Sequence, residues 1–127
     1  MTQPIRVGPE PIDLNLMQSG LDLSGVGGIA TFVGVVRDPD QGQEVTHLNY
    51  EAYREMAESE LSAIAEEAAR REGVRQVLAH HRVGRVERGV ASVAVVVTAA
   101  HRHQALDACA YVIDELKRRA PIWKVGE

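Results

Sequence analysis

The chain alternates between short runs that are apolar at almost every position and longer segments that carry a single apolar stripe. Residues 29–36 and 90–98 are the most continuous runs, rich in Val and bounded by Gly, Arg or a polar turn. Runs of that length and composition predict strands buried on both faces. Residues 5–7, closed by Gly8 and Pro9, predict a short strand, and residues 45–51 and 74–83 predict two more. Residues 54–71 have a helical period: Ala57, Leu61, Ile64, Ala65 and Ala68 fall on one stripe, with Glu58, Glu60, Glu66 and Glu67 elsewhere on the surface and Gly73 as the stop. Residues 102–119 predict a second helix with Ala105, Cys109, Val112, Ile113 and Leu116 on its stripe, ending before Pro121 because proline is excluded from a helix interior. Residues 11–20 are ambiguous; Leu14, Leu16 and Met17 allow a short helix ending at Gly20. Residues 38–42 and 84–89 read as turns, and the strands on either side of the second turn predict a hairpin.

Two main helices with about five strands predict an α+β fold built on an antiparallel sheet. A length of 127 residues fits one domain across residues 1–127, and there is no internal repeat, low-complexity segment or linker. Because residues 29–36 and 90–97 are apolar in both directions, the sheet should be covered twice, by a helix layer on one face and a subunit contact on the other.

Composition changes this picture in three ways. Aromatics are only 4% of residues, so the core must be built from Val, Ala, Leu and Ile. The net charge of -4 gives no case for nucleic acid or an anionic membrane surface. It is unevenly spread: residues 1–74 carry five Arg and thirteen acids, a net of -8, whereas residues 75–127 carry nine Lys or Arg and five acids, a net of +4. An anionic small molecule should therefore meet the second half. The single Cys109 excludes an internal disulfide and fits a reducing cytoplasm, no N-terminal pattern reads as a signal peptide, and no apolar run is long enough to span a bilayer.

The candidate chemistry is concentrated in the basic half. There are twelve Arg but only two Lys, Lys117 and Lys124, close together around Pro121. Arg is a permanent planar cation; Lys supplies an amine that can exchange protons or attack a carbonyl. The chain must bend at Ala120-Pro121, so both amines can face one pocket with Ile122 and Trp123 as its apolar wall. The plain alternative is two solvated lysines near a chain end. Arg37 directly follows a buried strand, where a site can sit. His101 and Arg102 open a helix, where backbone N–H groups attract anions and where cations are unfavourable until an anion joins them. His80 and His81 point to opposite faces of a strand and cannot easily share one ion, and neither a Cys pair nor HExxH is present, so no functional metal site or cofactor is expected. The Gly25–Gly28 segment precedes a strand and lacks Gly-Lys-Ser/Thr, which argues against a P-loop. Cys109 lies on an apolar stripe and reads as a buried thiol.

Five blocks, in order across about residues 29–124, carry a resemblance. They are Phe32-Val33-Gly34-Val35-Val36-Arg37, Leu48-Asn49-Tyr50-Glu51-Ala52-Tyr53 with Met56-Ala57, His81-Arg82-Val83-Gly84, Ala100-His101-Arg102 with Ala105, and Asp114-Glu115-Leu116-Lys117 running into Ala120-Pro121-Ile122-Trp123-Lys124. Together they resemble the large, MoaE-type catalytic subunit of molybdopterin synthase. The resemblance implies an α+β fold of the α/β-hammerhead type. It implies a sulfurtransferase that converts cyclic pyranopterin monophosphate to molybdopterin, in two sulfur transfers. The sulfur comes from the thiocarboxylated C-terminal Gly-Gly of a small ubiquitin-like (MoaD-type) carrier subunit. It also implies a heterotetramer with a homodimer of large subunits at its centre. By motif, Lys117 matches the essential active-site lysine and Lys124 the second lysine. Arg37, His101 and Arg102 match the pocket for the substrate's anionic group, and Val35, Val36, Val125 and Gly126 flank these positions as substrate-binding candidates. Two departures stand out: Leu106 occupies a position that is usually aromatic, and this sequence stops three residues after Lys124, whereas relatives continue and can lend an Arg to the neighbouring subunit's site. From other classes, a non-catalytic docking module for a small Gly-Gly-tailed protein and a metal-dependent hydrolase using the histidines remain to be separated from this reading.

Overall fold

A computed structural model describes residues 4–37, 42 and 44–125. The described residues form strand β1 (Ile5–Gly8), helix α1 (Leu14–Ser19), β2 (Gly28–Val35), β3 (His47–Ala52), α2 (Arg54–Ala69), β4 (Val74–Arg82), β5 (Gly84–Glu87), β6 (Ala91–Ala99), α3 (Arg102–Arg119) and β7 (Ile122–Val125). The fold is α+β, as expected. Four strands form one sheet in the order β1-β4-β6-β2, and three form a second in the order β5-β3-β7. Every pairing is antiparallel except β1 with β4.

Strand β6 is the centre of the larger sheet, and its alternation decides what each face meets. Val93, Val95 and Val97 face the same way as their partners Ala79 and Ala30 and join Leu61 and Ile64 of α2 and Val112 and Leu116 of α3 in the main core. Each fully buried Leu, Ile or Val side chain contributes roughly 1.5–3 kcal/mol relative to exposure. On the opposite face, Ala94 and Val96 are sealed by Met17 of α1 and its neighbours. Asp13 caps α1, accepting a hydrogen bond from the Leu16 N–H at 3.0 Å. This short helix resolves the ambiguous segment. Its cover is partial: Ile29 on the edge strand β2 remains about half exposed.

Helices α2 and α3 are fastened by one arginine. The Arg119 guanidinium donates to Glu60 at 2.7 Å and grips both oxygens of Glu67 at 2.7 and 2.9 Å, while the Tyr111 hydroxyl donates to Glu67 at 2.5 Å. Arg119 holds the Glu67 carboxyl down to about 2. Gly73 at φ +80° makes the turn from α2 into β4, a conformation that L side chains rarely adopt.

One expectation needs correction, one strand was not foreseen, and one predicted turn is not described. Residues 84–89 are not simply a turn: residues 84–87 form β5, which leaves the first sheet to pair with β3. The strands before and after it do pair antiparallel, but their connection passes through the second sheet. Strand β7 was not anticipated; its four residues become a strand only because β3 offers an edge. Residues 38–40, assigned to the other predicted turn, lie outside the described residues.

Candidate functional site

Helix α3 ends where the sequence requires. The Ala120 N–H still bonds to the Leu116 carbonyl at 3.0 Å, but Ala120 itself is extended, and Pro121 follows. The chain then runs back as β7 along β3, with Lys124 directly opposite Tyr50 and Trp123 opposite Glu51. This reversal brings Lys124 to the cavity that Lys117 reaches from the last turn of α3.

The cavity measures about 410 Å³. Its floor is the helix-facing side of the larger sheet, with Phe32 and Gly34 of β2, His81 of β4 and Val93 of β6. Ile113 and Leu116 of α3 form one wall, and Ile122 and Trp123 of β7 form another. Trp123 is steadied by Tyr53, the ring centroids lying 5.2 Å apart. The described lining carries two ammonium groups and no carboxylate, so the field favours an anion. An apolar chamber with a few convergent polar groups suits a small ring compound or an extended peptide tail.

Gly34 keeps the cavity open. A Cβ there would lie 2.6 Å from Val93 Cγ1, and the pairing of β2 with β6 shifts register just after it.

The structure brings together only some of the candidates. Lys117, Lys124 and Val35 line the cavity. Val36 turns into a separate cluster with Val45 and Val86, and exposed Arg37 lies just beyond it. Val125 pairs with Asn49 in the second sheet, and Gly126 lies outside the described residues. His101 and Arg102 are exposed at the opposite end of α3. Fifteen helical residues separate Arg102 from Lys117, a rise of about 22 Å. Within one chain, therefore, His101 and Arg102 do not reach the cavity that Lys117 lines. The N-terminal end of α3 is closed by Gln104, whose side-chain oxygen accepts the His101 N–H at 3.1 Å.

Other lining residues were not named as substrate-binding or catalytic candidates of the leading reading: Tyr50, Phe32, Ser92 and His81, the last weighed only as a metal ligand. Tyr50 and His81 meet edge to face with centroids 5.3 Å apart. Both stand inside motif blocks, which was the available signal; their convergence depends on β3 and β4 belonging to different sheets. His80 faces the other way, into the α1 side, as strand alternation requires. Cys109 is buried, and burial pushes its thiol up, away from the reactive thiolate. Among the described residues no three His, Cys, Asp or Glu side chains converge in a set able to hold a metal, and no helix is long and apolar enough to cross a membrane.

The family model described as "MoaE protein" matches residues 7–119. The molybdopterin synthase catalytic subunit of Pyrococcus abyssi is 42% identical over 116 residues, which cover 91% of this chain and 78% of that protein. The protein of the same name from Oryza sativa subsp. indica is 49% identical over 98 residues, 77% of this chain; the match spans about half of it, 51%. Among solved structures, molybdopterin synthase from Staphylococcus aureus superposes with a TM-score of 0.91 at 29% identity, covering 100% of this chain and 94% of that one. A chain from the complex of subunits 1 and 2 of the molybdopterin-converting factor of Helicobacter pylori 26695 gives 0.80 at 25% identity, over 96% and 83%. With the family model spanning most of the chain and the cavity built from the family's motif blocks, this chain belongs to the MoaE protein family.

Proposed function

We propose that this chain is the catalytic subunit of a molybdopterin synthase. It takes cyclic pyranopterin monophosphate to molybdopterin, drawing sulfur from the thiocarboxylated Gly-Gly end of a small ubiquitin-like carrier. The observation that carries the reading is the convergence of the chain's only two lysines on one apolar-walled cavity. Lys117 exchanges protons with the reacting groups and stabilises the oxyanion that develops as sulfur leaves the acyl carbon. Lys124 holds the anionic substrate against the apolar wall. The relatives' shared name and the two-subunit complex among the structural neighbours support the carrier partnership.

The separation of His101 and Arg102 from Lys117 supports a homodimer at the centre of a heterotetramer, in which a second copy's α3 start supplies the anion-binding group that this chain's own fold keeps away. We take residues 1–127 as one domain, Arg37, Val35, Val36, Val125 and Gly126 as substrate-binding positions, and the cytoplasm as the compartment.

Product formation with the thiocarboxylated carrier and the pyranopterin substrate tests the assignment. Lys117→Ala should lower the rate by ~10²–10⁴-fold, the range of a lost general acid–base group. Equal rates in the wild type and this variant would remove Lys117 from the chemistry. Replacing both lysines with Arg separates the docking-module alternative: carrier binding with undiminished activity would favour the module.

A further inference from the structure

His81 is the one imidazole among the cavity-lining residues. It lies on β4, on the same face as Val77 and Ala79, and the residue is only 6% exposed. Its Nδ1 is 2.7 Å from the backbone carbonyl oxygen of Arg82. A carbonyl can only accept, so Nδ1 carries the proton and Nε2 presents a lone pair. Within the described residues Nε2 makes no hydrogen bond; unlike His80 Nε2, it is not sealed from solvent, and His81 is one of the residues that line the lysine cavity.

The surroundings keep this lone pair in place. Tyr50 of β3 packs edge to face on the ring. Among the described lining residues the cations are Lys117 of α3 and Lys124 of β7, and none is a carboxylate that would welcome an imidazolium. Burial also lowers the pKa of His81 below its ordinary value. Two cationic donors and one fixed neutral acceptor thus face the same space.

We propose that His81 Nε2 is a built-in hydrogen-bond acceptor of this site, taking an N–H or O–H of the substrate bound beside Lys117 and Lys124 and so fixing its orientation. The inference rests on the reading of the site as a pterin-phosphate pocket and adds a positioning residue to it. The two lysines recognise negative charge but can only donate when charged; a pyranopterin also carries N–H and O–H groups that need an acceptor, and His81 supplies one.

Nitrogen-15 NMR of the free protein reads the tautomer without any substrate. The Nδ1–H form is expected, with the Nε2 resonance moving when cyclic pyranopterin monophosphate is added; an Nε2–H tautomer, or no movement on saturation, overturns the proposal. In steady-state assays with the thiocarboxylated carrier, His81→Phe should raise KM by about 10- to 100-fold, the effect of leaving a buried donor unmet. His81→Gln, whose amide oxygen can sit near Nε2, should recover most of that loss. It should also abolish an acid limb in kcat/KM that the wild type shows below pH 6.5, where protonation turns the acceptor into a donor. A Gln variant that stays folded but is as impaired as Phe, or that keeps the acid limb, sinks the idea. Failure of the wild type to bind the pyranopterin would instead count against the proposed function.

Discussion

At the scale of single residues, the cavity depends on a missing side chain as much as on those present. Gly34 lies on a strand whose partner Val93 leaves no space for a methyl group, with Cγ1 2.6 Å from where a Cβ would be. Gly34→Ala should therefore cost about 1–3 kcal/mol through overpacking. It should also narrow the chamber beside Phe32, so that KM rises more than the loss of stability alone would produce. Chemical denaturation and steady-state kinetics on the same variant measure the two effects. Gly34 was legible only as part of a motif block; that its space belongs to a cavity follows from strand register, which no local pattern specifies.

At the scale of elements, α2 and α3 share an apolar seam and a charged clamp at its edge. The seam was legible, because a 3.6-residue period names the buried stripe directly: Ala57, Leu61, Ile64, Ala65 and Ala68 are all buried, as are Ala105, Cys109, Val112 and Leu116. The clamp was not, since Glu60 and Glu67 read as solvated exterior until Arg119 is placed 59 and 52 residues away in sequence. Its pH dependence has a definite sign. The folded state holds Glu67 at about 2, below its ordinary 4.5, so folding favours the carboxylate. The stabilisation is complete above pH 4.5 and is lost as pH falls from there towards 2. Glu67→Gln should lower Tm at neutral pH, and the gap from the wild type should close across that acid window. A gap that stays constant with pH would mean that packing, not charge, holds the clamp.

At the scale of the whole molecule, α3 carries candidate chemistry at both ends, about 22 Å apart. If a second copy supplies the anion-binding end, two inactive variants should complement each other. Lys117→Ala and Arg102→Ala chains, each inactive alone, should form mixed dimers when unfolded and refolded together, and about one site in four should then be intact under random pairing. Product formation by the mixture, absent from either variant alone, measures this; a mixture as inactive as its components would confine the site to one chain. The partly covered face around Ile29, Thr31 and Val33 leaves room for the subunit contact that the sequence-based reading expected on the second face of the sheet.

By itself the sequence determined the two long helices, the buried central strand β6 and the position of the helix stop at Pro121, because each follows from local periodicity or the covalent restriction of proline. The strand predicted at residues 29–36 does form, but as β2 at the sheet edge it stays largely exposed instead of buried on both faces. It also marked Lys117 and Lys124 as unusual, and its motif blocks carried the family resemblance. Tertiary structure alone decided that residues 84–87 and 122–125 are strands, since four-residue segments gain a partner only when distant β3 is in place. It decided, too, that Tyr50 and His81 join the lysines while His101 and Arg102 do not. The physical reason is the same in each case: periodicity reports which side of an element is buried, but two sheets meeting at an edge determine which buried sides face one another.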